Sequence, residues 1–364
     1  MMIHQKLYKG KRMMKKWSNK ALLAVVALGL AGMVSPSDAC TRVLHVTKDK
    51  KSVITGRNMD WYMRYPTTLW KFPRGMKRSG LSKVNPLKWT SKYGSVVAIQ
   101  TADGQNATAD GMNEKGLVAN LLYLSETEYP KRDTSKKGIA TSIYLQYIFD
   151  NFATVKEAVE GLKREDIQVV PVPIPNSEHL PTLHVSLSDA SGDSAVIEFL
   201  KGKVVIHHSK EYQVMANSPV FEKQLALTAY WDEIGGDRFL PGTRKSPDRF
   251  VRAHFYNQKL PEPKNYREAV AGVMSIMRNT SSPFGQPDPN KPNISTTMWR
   301  TIADQTNLIY FYESTISYGS LWVEYKTFDF SEGAEVKMLK ADSGLVGNVS
   351  DKLKAAKPLE FARP

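Results

Sequence analysis

Two stretches decide the reading: Ser37-Asp38-Ala39-Cys40-Thr41-Arg42 and, a short hairpin later, Gly56-Arg57-Asn58-Met59-Asp60-Trp61. Upstream, Lys15, Lys16 and Lys20 lead into an apolar run from Ala21 to Val34, closed by Pro36. Basic residues, an apolar run, then small side chains at Ser37 and Ala39 form the pattern of a cleavable export signal. The run is shorter than the ~20 residues a membrane-spanning helix requires. Residues 1–39 are therefore expected to be a signal peptide, with translation starting at Met1, Met13 or Met14. Cleavage after Ala39 would make Cys40 the first residue. The product is expected to be periplasmic or secreted, with no stable membrane insertion once the signal is gone.

Cys40 is the only cysteine among 364 residues, so an internal disulfide is excluded. Three readings of a lone thiol at a new terminus compete. It could be inert and buried. It could be the lipidated cysteine of an anchored binding protein, although that motif wants Leu where Ser37 stands. It could be an N-terminal nucleophile, a self-contained arrangement in which the thiolate attacks and the residue's own α-amino group, with a pKa near ~7.7, takes its proton. His207-His208 lie in an apolar run and read as edge-strand residues. The chain holds no HExxH, CxxC, P-loop or GxSxG, and the close pair Gly29 and Gly32 falls in the signal. Metal, dinucleotide and serine-hydrolase chemistry therefore lack support.

Hydrophobic residues make up 41% of the chain and charged ones 24%, which excludes a disordered or collagen-like chain. Of the formal net charge of +14, the first 39 residues supply seven Lys and Arg against one Asp. The excess beyond them is scattered, so a solvated basic surface is expected rather than a nucleic-acid site.

Strands are expected at Arg42–Val46 and Ser52–Thr55 around a turn at 48–51, then at Gly94–Thr101 and Gly116–Leu124, joined through Asp110-Gly111 and Lys115-Gly116. Residues 142–153 read as a buried helix, and Thr154-Val155-Lys156-Glu157 as a capping box opening another. The four prolines between Val170 and Pro181 predict a loop. A meander follows over 184–207. Val270, Val273, Met274 and Met277 mark a buried helix face, and residues 300–312 a hairpin. Two antiparallel sheets flanked by helices, in one domain over residues 40–364, accommodate this order.

Cys40-Thr41-Arg42 and Gly56–Trp61 resemble the starts of the choloylglycine hydrolase and penicillin V acylase family of N-terminal nucleophile hydrolases, in its Gram-negative branch. The resemblance continues in order through Asp110-Gly111-Met112-Asn113-Glu114-Lys115-Gly116-Leu117, Asn217-Ser218-Pro219, Leu240-Pro241-Gly242 and Asp248-Arg249-Phe250. It implies a four-layer αββα fold, a homotetramer and cofactor-free hydrolysis of linear amides. Penicillin V, conjugated bile acids and acyl-homoserine lactones are the implied small-molecule substrates. By the same resemblance Cys40 is the nucleophile, Arg57 favours its thiolate, Asp60 orients the α-amine, Asn217 donates to the oxyanion and Arg249 steadies the transition state. Tyr123 takes a position that is often Asn in bile salt hydrolases. An aromatic there favours a penicillin V acylase-like pocket, although some bile salt enzymes of this branch also carry one. Trp61, Met59 and Trp70 are expected to add apolar wall.

Overall fold

Alternation along two paired strands sets the architecture. In the computed structural model, which describes residues 40–174, 180–234, 238–285 and 296–364, β1 (Thr41–Val46) runs antiparallel to β2 (Val53–Trp61). The expected signal peptide lies outside the described residues. Arg42 stands opposite Arg57 in the β1–β2 register. One face of the pair meets a second sheet: Arg42 donates to the Leu187 carbonyl, and the Thr55 and Ser188 hydroxyls bond to each other. The other face meets helices, where Asn58 donates to the Met277 carbonyl and His45 bonds Asn257.

The first sheet has the order β14 (Val214–Ala216), β1, β2, β15 (Thr296–Asp304), β16 (Ile309–Ser314), β17 (Leu321–Glu324), β19 (Gly347–Asn348). The second is β13 (Lys203–His208), β12 (Ser194–Leu200), β11 (Leu183–Ser188), β8 (Val118–Tyr123), β7 (Gln105–Asn113), β6 (Ser95–Ala102), β3 (Thr67–Phe72), β18 (Lys337–Lys340), β20 (Lys354–Ala355). Ribbons β4 (Lys77–Ser79) with β5 (Lys88–Thr90), and β9 (Lys137–Ala140) with β10 (Ile167–Val170), are peripheral. Helices α1 (Thr141–Asn151) and α2 (Val155–Leu162) cover the second sheet. The first is covered by α4 (Ser246–Lys259) and α5 (Tyr266–Asn279), with α3 (Phe221–Glu233) beside them. One apolar core lies between the sheets and under α4 and α5, and a second under α1 and α2. The fold is thus the αββα sandwich of two antiparallel sheets. In the α5 stripe, Val273 and Met277 are fully buried, and each such side chain contributes about 1.5–3 kcal/mol.

Three local expectations are corrected. Asp110-Gly111 is not a turn but lies inside β7; the β6–β7 turn is Asp103-Gly104, where both residues have positive φ. Gly111 is required instead by close approach, because a Cβ there would meet the Val96 carbonyl at 2.8 Å. The Thr154 hydroxyl accepts from Glu157 N–H as a cap should, but the Glu157 carboxylate reaches Ala153 N–H, one residue further out. Trp70 belongs to the core under α1, stacked with Phe72, rather than to any cavity wall near Cys40.

Candidate active site

Cys40 immediately precedes β1, buried, with its Sγ 3.5 Å from Arg57 Nη2, 3.8 Å from the Asp60 carbonyl and 3.9 Å from Met59 Sδ. Burial pushes the thiol up from its ordinary pKa; the Arg57 charge pulls it down, Asp60 pushes it up, Arg249 pulls it down, and burial prevails. The Arg57 charge thus opposes burial at the sulfur without overcoming it.

The alternation of β2 divides the expected residues into two groups. Arg57, Met59 and Trp61 share one side with the sulfur and line a cavity of about 160 Å³, together with Cys40 and Tyr123. The Trp61 and Tyr123 rings lie 5.8 Å apart. The rest of the wall is largely apolar and small, including Ala102, Ala107 and Ala109, with Gln100 and Gln105 among its few polar members. Val172, Pro173, Ile174 and Pro181, from the proline-rich loop, also contribute; residues 175–179 of that loop lie outside the described residues.

Asp60 and Arg249 sit behind Cys40, away from the cavity, whereas Asn217, though not in its lining, reaches the cavity edge through the Tyr123 carbonyl. Arg249, near the start of α4, donates from Nη1 to the Cys40 carbonyl and the Thr41 hydroxyl, from Nη2 to Asn217 Oδ1 at 3.0 Å and from Nε to the Arg244 carbonyl at 2.8 Å. Its Nη1 is 3.4 Å from Asp60 Oδ2. Any influence of Arg249 on a reacting carbonyl runs through Asn217 and the Cys40 backbone. Asn217 Nδ2 donates to the Tyr123 carbonyl at 2.6 Å. With Arg249 donating to Oδ1, that bond fixes the amide orientation and leaves one Nδ2 hydrogen for another acceptor.

Sequence reasoning assigned no role to the residues that hold these groups. Thr297 donates to Asp60 Oδ1 at 2.6 Å. It is brought there by a bulge in β15, where the register steps from Thr297–Asp60 to Trp299–Met59. Asp110 faces Arg57 from the second sheet at 3.8 Å. An aspartate amid a buried strand was the available signal for Asp110; Thr297 offered none, since its reach depends on the bulge.

Residues 40–327 match the family described as linear amide C–N hydrolases, choloylglycine hydrolase family. The chain belongs to this family. It is 45% identical over 367 residues to penicillin V acylase of Pectobacterium atrosepticum, covering 95% of this chain and 97% of that protein. The solved structure of penicillin V acylase from Agrobacterium tumefaciens is similar at a TM-score of 0.82 and 45% identity, over 89% of this chain and all of that one. A mutant conjugated bile acid hydrolase from Clostridium perfringens is similar at a TM-score of 0.70 and 25% identity, over 85% and 98% of the two chains. As a choloylglycine hydrolase family member the protein is an amidohydrolase acting on linear amides.

Proposed function

We propose that removal of residues 1–39 during export to the periplasm frees Cys40 as an N-terminal nucleophile, and that the enzyme acts on penicillin V-like amides. The observation that carries this reading is the placement of Cys40. Its sulfur faces an apolar cavity beside Arg57, while its carbonyl is tethered behind by Arg249. The family match also begins at Cys40. In the full-length chain the Cys40 nitrogen is a peptide N–H; only cleavage turns it into an amine that can accept a proton. The amine then takes the thiol proton and the sulfur attacks the amide carbon. The free Nδ2 hydrogen of Asn217 receives the developing oxyanion. The ammonium protonates the departing nitrogen, leaving an acyl thioester, and the amine next deprotonates the water that releases the acid. Asp60, held by Thr297 and Arg249, supplies the negative charge that keeps the ammonium in place.

The cavity wall favours an uncharged, largely apolar acyl group, with the Trp61–Tyr123 pair offering faces to an aryl ring. Acyl-homoserine lactones fit the same description, and conjugated bile acids are the alternative substrate. A lipid anchor on Cys40 is disfavoured because its sulfur lies buried against Arg57 and Met59 rather than at the surface. The homotetramer is part of the same proposal, tested by light scattering. The deciding experiment pairs intact mass of exported protein with a hydrolysis panel of penicillin V, glycocholate, taurocholate and long-chain acyl-homoserine lactones. An unmodified chain beginning at Cys40, with turnover abolished in Cys40→Ser, supports the mechanism. Turnover by material beginning elsewhere overturns it, and glycocholate cleaved much faster than penicillin V overturns the substrate assignment.

A further inference from the structure

One buried carboxylate beside the cavity takes no part in the amide chemistry. Asp110 is fully buried on β7, and its Oδ2 lies 3.8 Å from Arg57 Nη1, across the space between the sheets. A bulge makes this possible: Ala98 pairs with Asp110 but Ile99 with Thr108, so Ala109 is the extra residue. Bulges re-aim the side chains next to them. Here Ala109 lines the cavity and Asp110 faces the first sheet.

The carboxylate has no freedom to swing. Oδ1 accepts from Tyr310 OH at 2.6 Å and Thr301 Oγ1 at 3.2 Å, and Oδ2 from Asn120 Nδ2 at 2.8 Å. Asn120 is oriented in turn by Ser186, which donates to its Oδ1 at 3.0 Å. The Arg57 guanidinium is held less completely. Its Nη2 contacts the Leu121 carbonyl at 2.7 Å, Met59 Sδ at 3.0 Å and Cys40 Sγ at 3.5 Å, and the group lies 4.7 Å over the Trp299 ring. Among the described residues its Nε and Nη1 have no hydrogen-bond partner. A flat ring beneath the guanidinium allows rotation in its own plane, so the Asp110 charge is what fixes the Nη1 side. An ion pair buried this deeply, at a distance too long for a hydrogen bond, is a poor source of stability. Its return is orientation.

We propose that Asp110 is a positioning residue for the nucleophile, holding Arg57 in the orientation that keeps Nη2 on the Cys40 sulfur. This rests on the reading of Cys40 as nucleophile. The charged groups that act on the sulfur are Arg57, Asp60 and Arg249. The titratable groups facing Asp110 are Arg57 and the phenols of Tyr310 and Tyr325; burial pushes its carboxyl up while the Arg57 charge and the bonds from Tyr310, Asn120 and Thr301 pull it down. Once Asp110 is neutralised, Arg57 turns into the cavity it already lines and the thiolate loses its nearest cation.

The test is iodoacetamide labelling of the sole cysteine, followed by intact mass from neutral to alkaline pH, in wild type and Asp110→Asn. The labelling midpoint should rise by about one pH unit, a tenfold smaller thiolate fraction at a given pH. kcat/KM should fall about tenfold with KM nearly unchanged. An unmoved midpoint with a lowered melting temperature makes Asp110 purely structural and overturns the proposal. A midpoint that moves down makes it merely a neutralising charge, which also overturns it. Should Asp110→Asn not fold, Tyr310→Phe removes the 2.6 Å bond to Oδ1 without altering charge. It should move the midpoint up by a smaller amount, and no movement counts against the proposal. Failure of the nucleophile reading looks different: fully labelled protein would still hydrolyse amide.

Discussion

Asn217→Asp separates what Asn217 does for the fold from what it does for the reaction. The substitution keeps the shape of the side chain. The oxygen facing Arg249 Nη2, 3.0 Å away, stays an acceptor and gains charge. The atom facing the Tyr123 carbonyl at 2.6 Å changes from donor to acceptor. Losing that part-buried bond costs ~1–3 kcal/mol and the two oxygens must draw apart, while the Arg249 bond, already made by a cation, strengthens toward ~1.5–3 kcal/mol once its acceptor is charged too. Net stability should thus move by less than about 2 kcal/mol, a shift of a few degrees in melting temperature. Loss of the proposed oxyanion donor is not offset. Removing one such donor typically costs ~2.7–4 kcal/mol, or ~10²–10³ in kcat. Release of primary amine from penicillin V, measured beside a thermal melt, should show that loss of kcat with KM barely altered and the fold intact. Asn217→Ala should instead lose stability and activity together, because it strands both Arg249 Nη2 and the Tyr123 carbonyl. A folded Asn217→Asp enzyme within tenfold of wild-type kcat would place the oxyanion donor elsewhere and refute the assignment.

Three further outcomes follow from the same geometry. In protein still carrying residues 1–39, alkylation of Cys40 should keep accelerating beyond the ordinary thiol midpoint of ~8.5, because burial raises this thiol; labelling already maximal near neutrality would contradict that. Ala107→Phe should fill much of the 160 Å³ cavity, abolishing turnover of aryl-acetyl amides while iodoacetamide still reaches the sulfur; unchanged turnover would move the acyl site away from β7. Burial would raise Glu198, but the His184 ring (3.6 Å away, beyond hydrogen-bond range), His207 at 3.3 Å and the Phe221 N–H together take it from 4.5 down to about 2. A carboxyl depressed on folding stabilises above its unfolded pKa and loses that contribution as pH falls through the folded one, here about 3 kcal/mol between 4.5 and about 2. Urea midpoints across that window should decline less in Glu198→Gln than in wild type, and parallel declines would refute the assignment.

Most of the sheet framework was legible because its strands alternate and its turns carry Gly, Asp and Lys. Lys48–Lys51, Lys115-Gly116 and Lys201-Gly202 all turn where their composition says they should. Asp110-Gly111 misled because Asp-Gly is a strong turn signal, whereas here the Asp is a buried ion-pair partner and the Gly yields to the Val96 carbonyl. Helix α3 escaped notice for a different reason. Its 13 residues bury only Phe221, Gln224 and Thr228, so no continuous apolar stripe announces it. What defines its start is tertiary: Glu198 accepts from the Phe221 N–H, and Gln224 reaches back to the carbonyls of Asn217 and Pro219. Composition along the chain cannot report such contacts.

The division of the site into a cavity side and a rear side was, by contrast, written in β2. Residues 57, 59 and 61 alternate with 58 and 60, so Arg57 and Met59 must face one way and Asp60 the other. The same rule favours residue 40 over its strand neighbours as the proposed nucleophile. From Thr41 onward β1 is paired on both edges, Thr41 with Asn58 and with Ala216. Thr41 turns its hydroxyl to Arg249 on the rear side. A thiol one residue later would therefore point at a guanidinium already engaged by Asp60, Asn217 and two oxygens, away from any acyl group. Cys40 is the last position free of the ladder whose side chain still falls on the cavity side. There the backbone that Arg249 tethers would, on the proposed reading, aim the sulfur at the carbonyl carbon and the freed amine at the departing nitrogen.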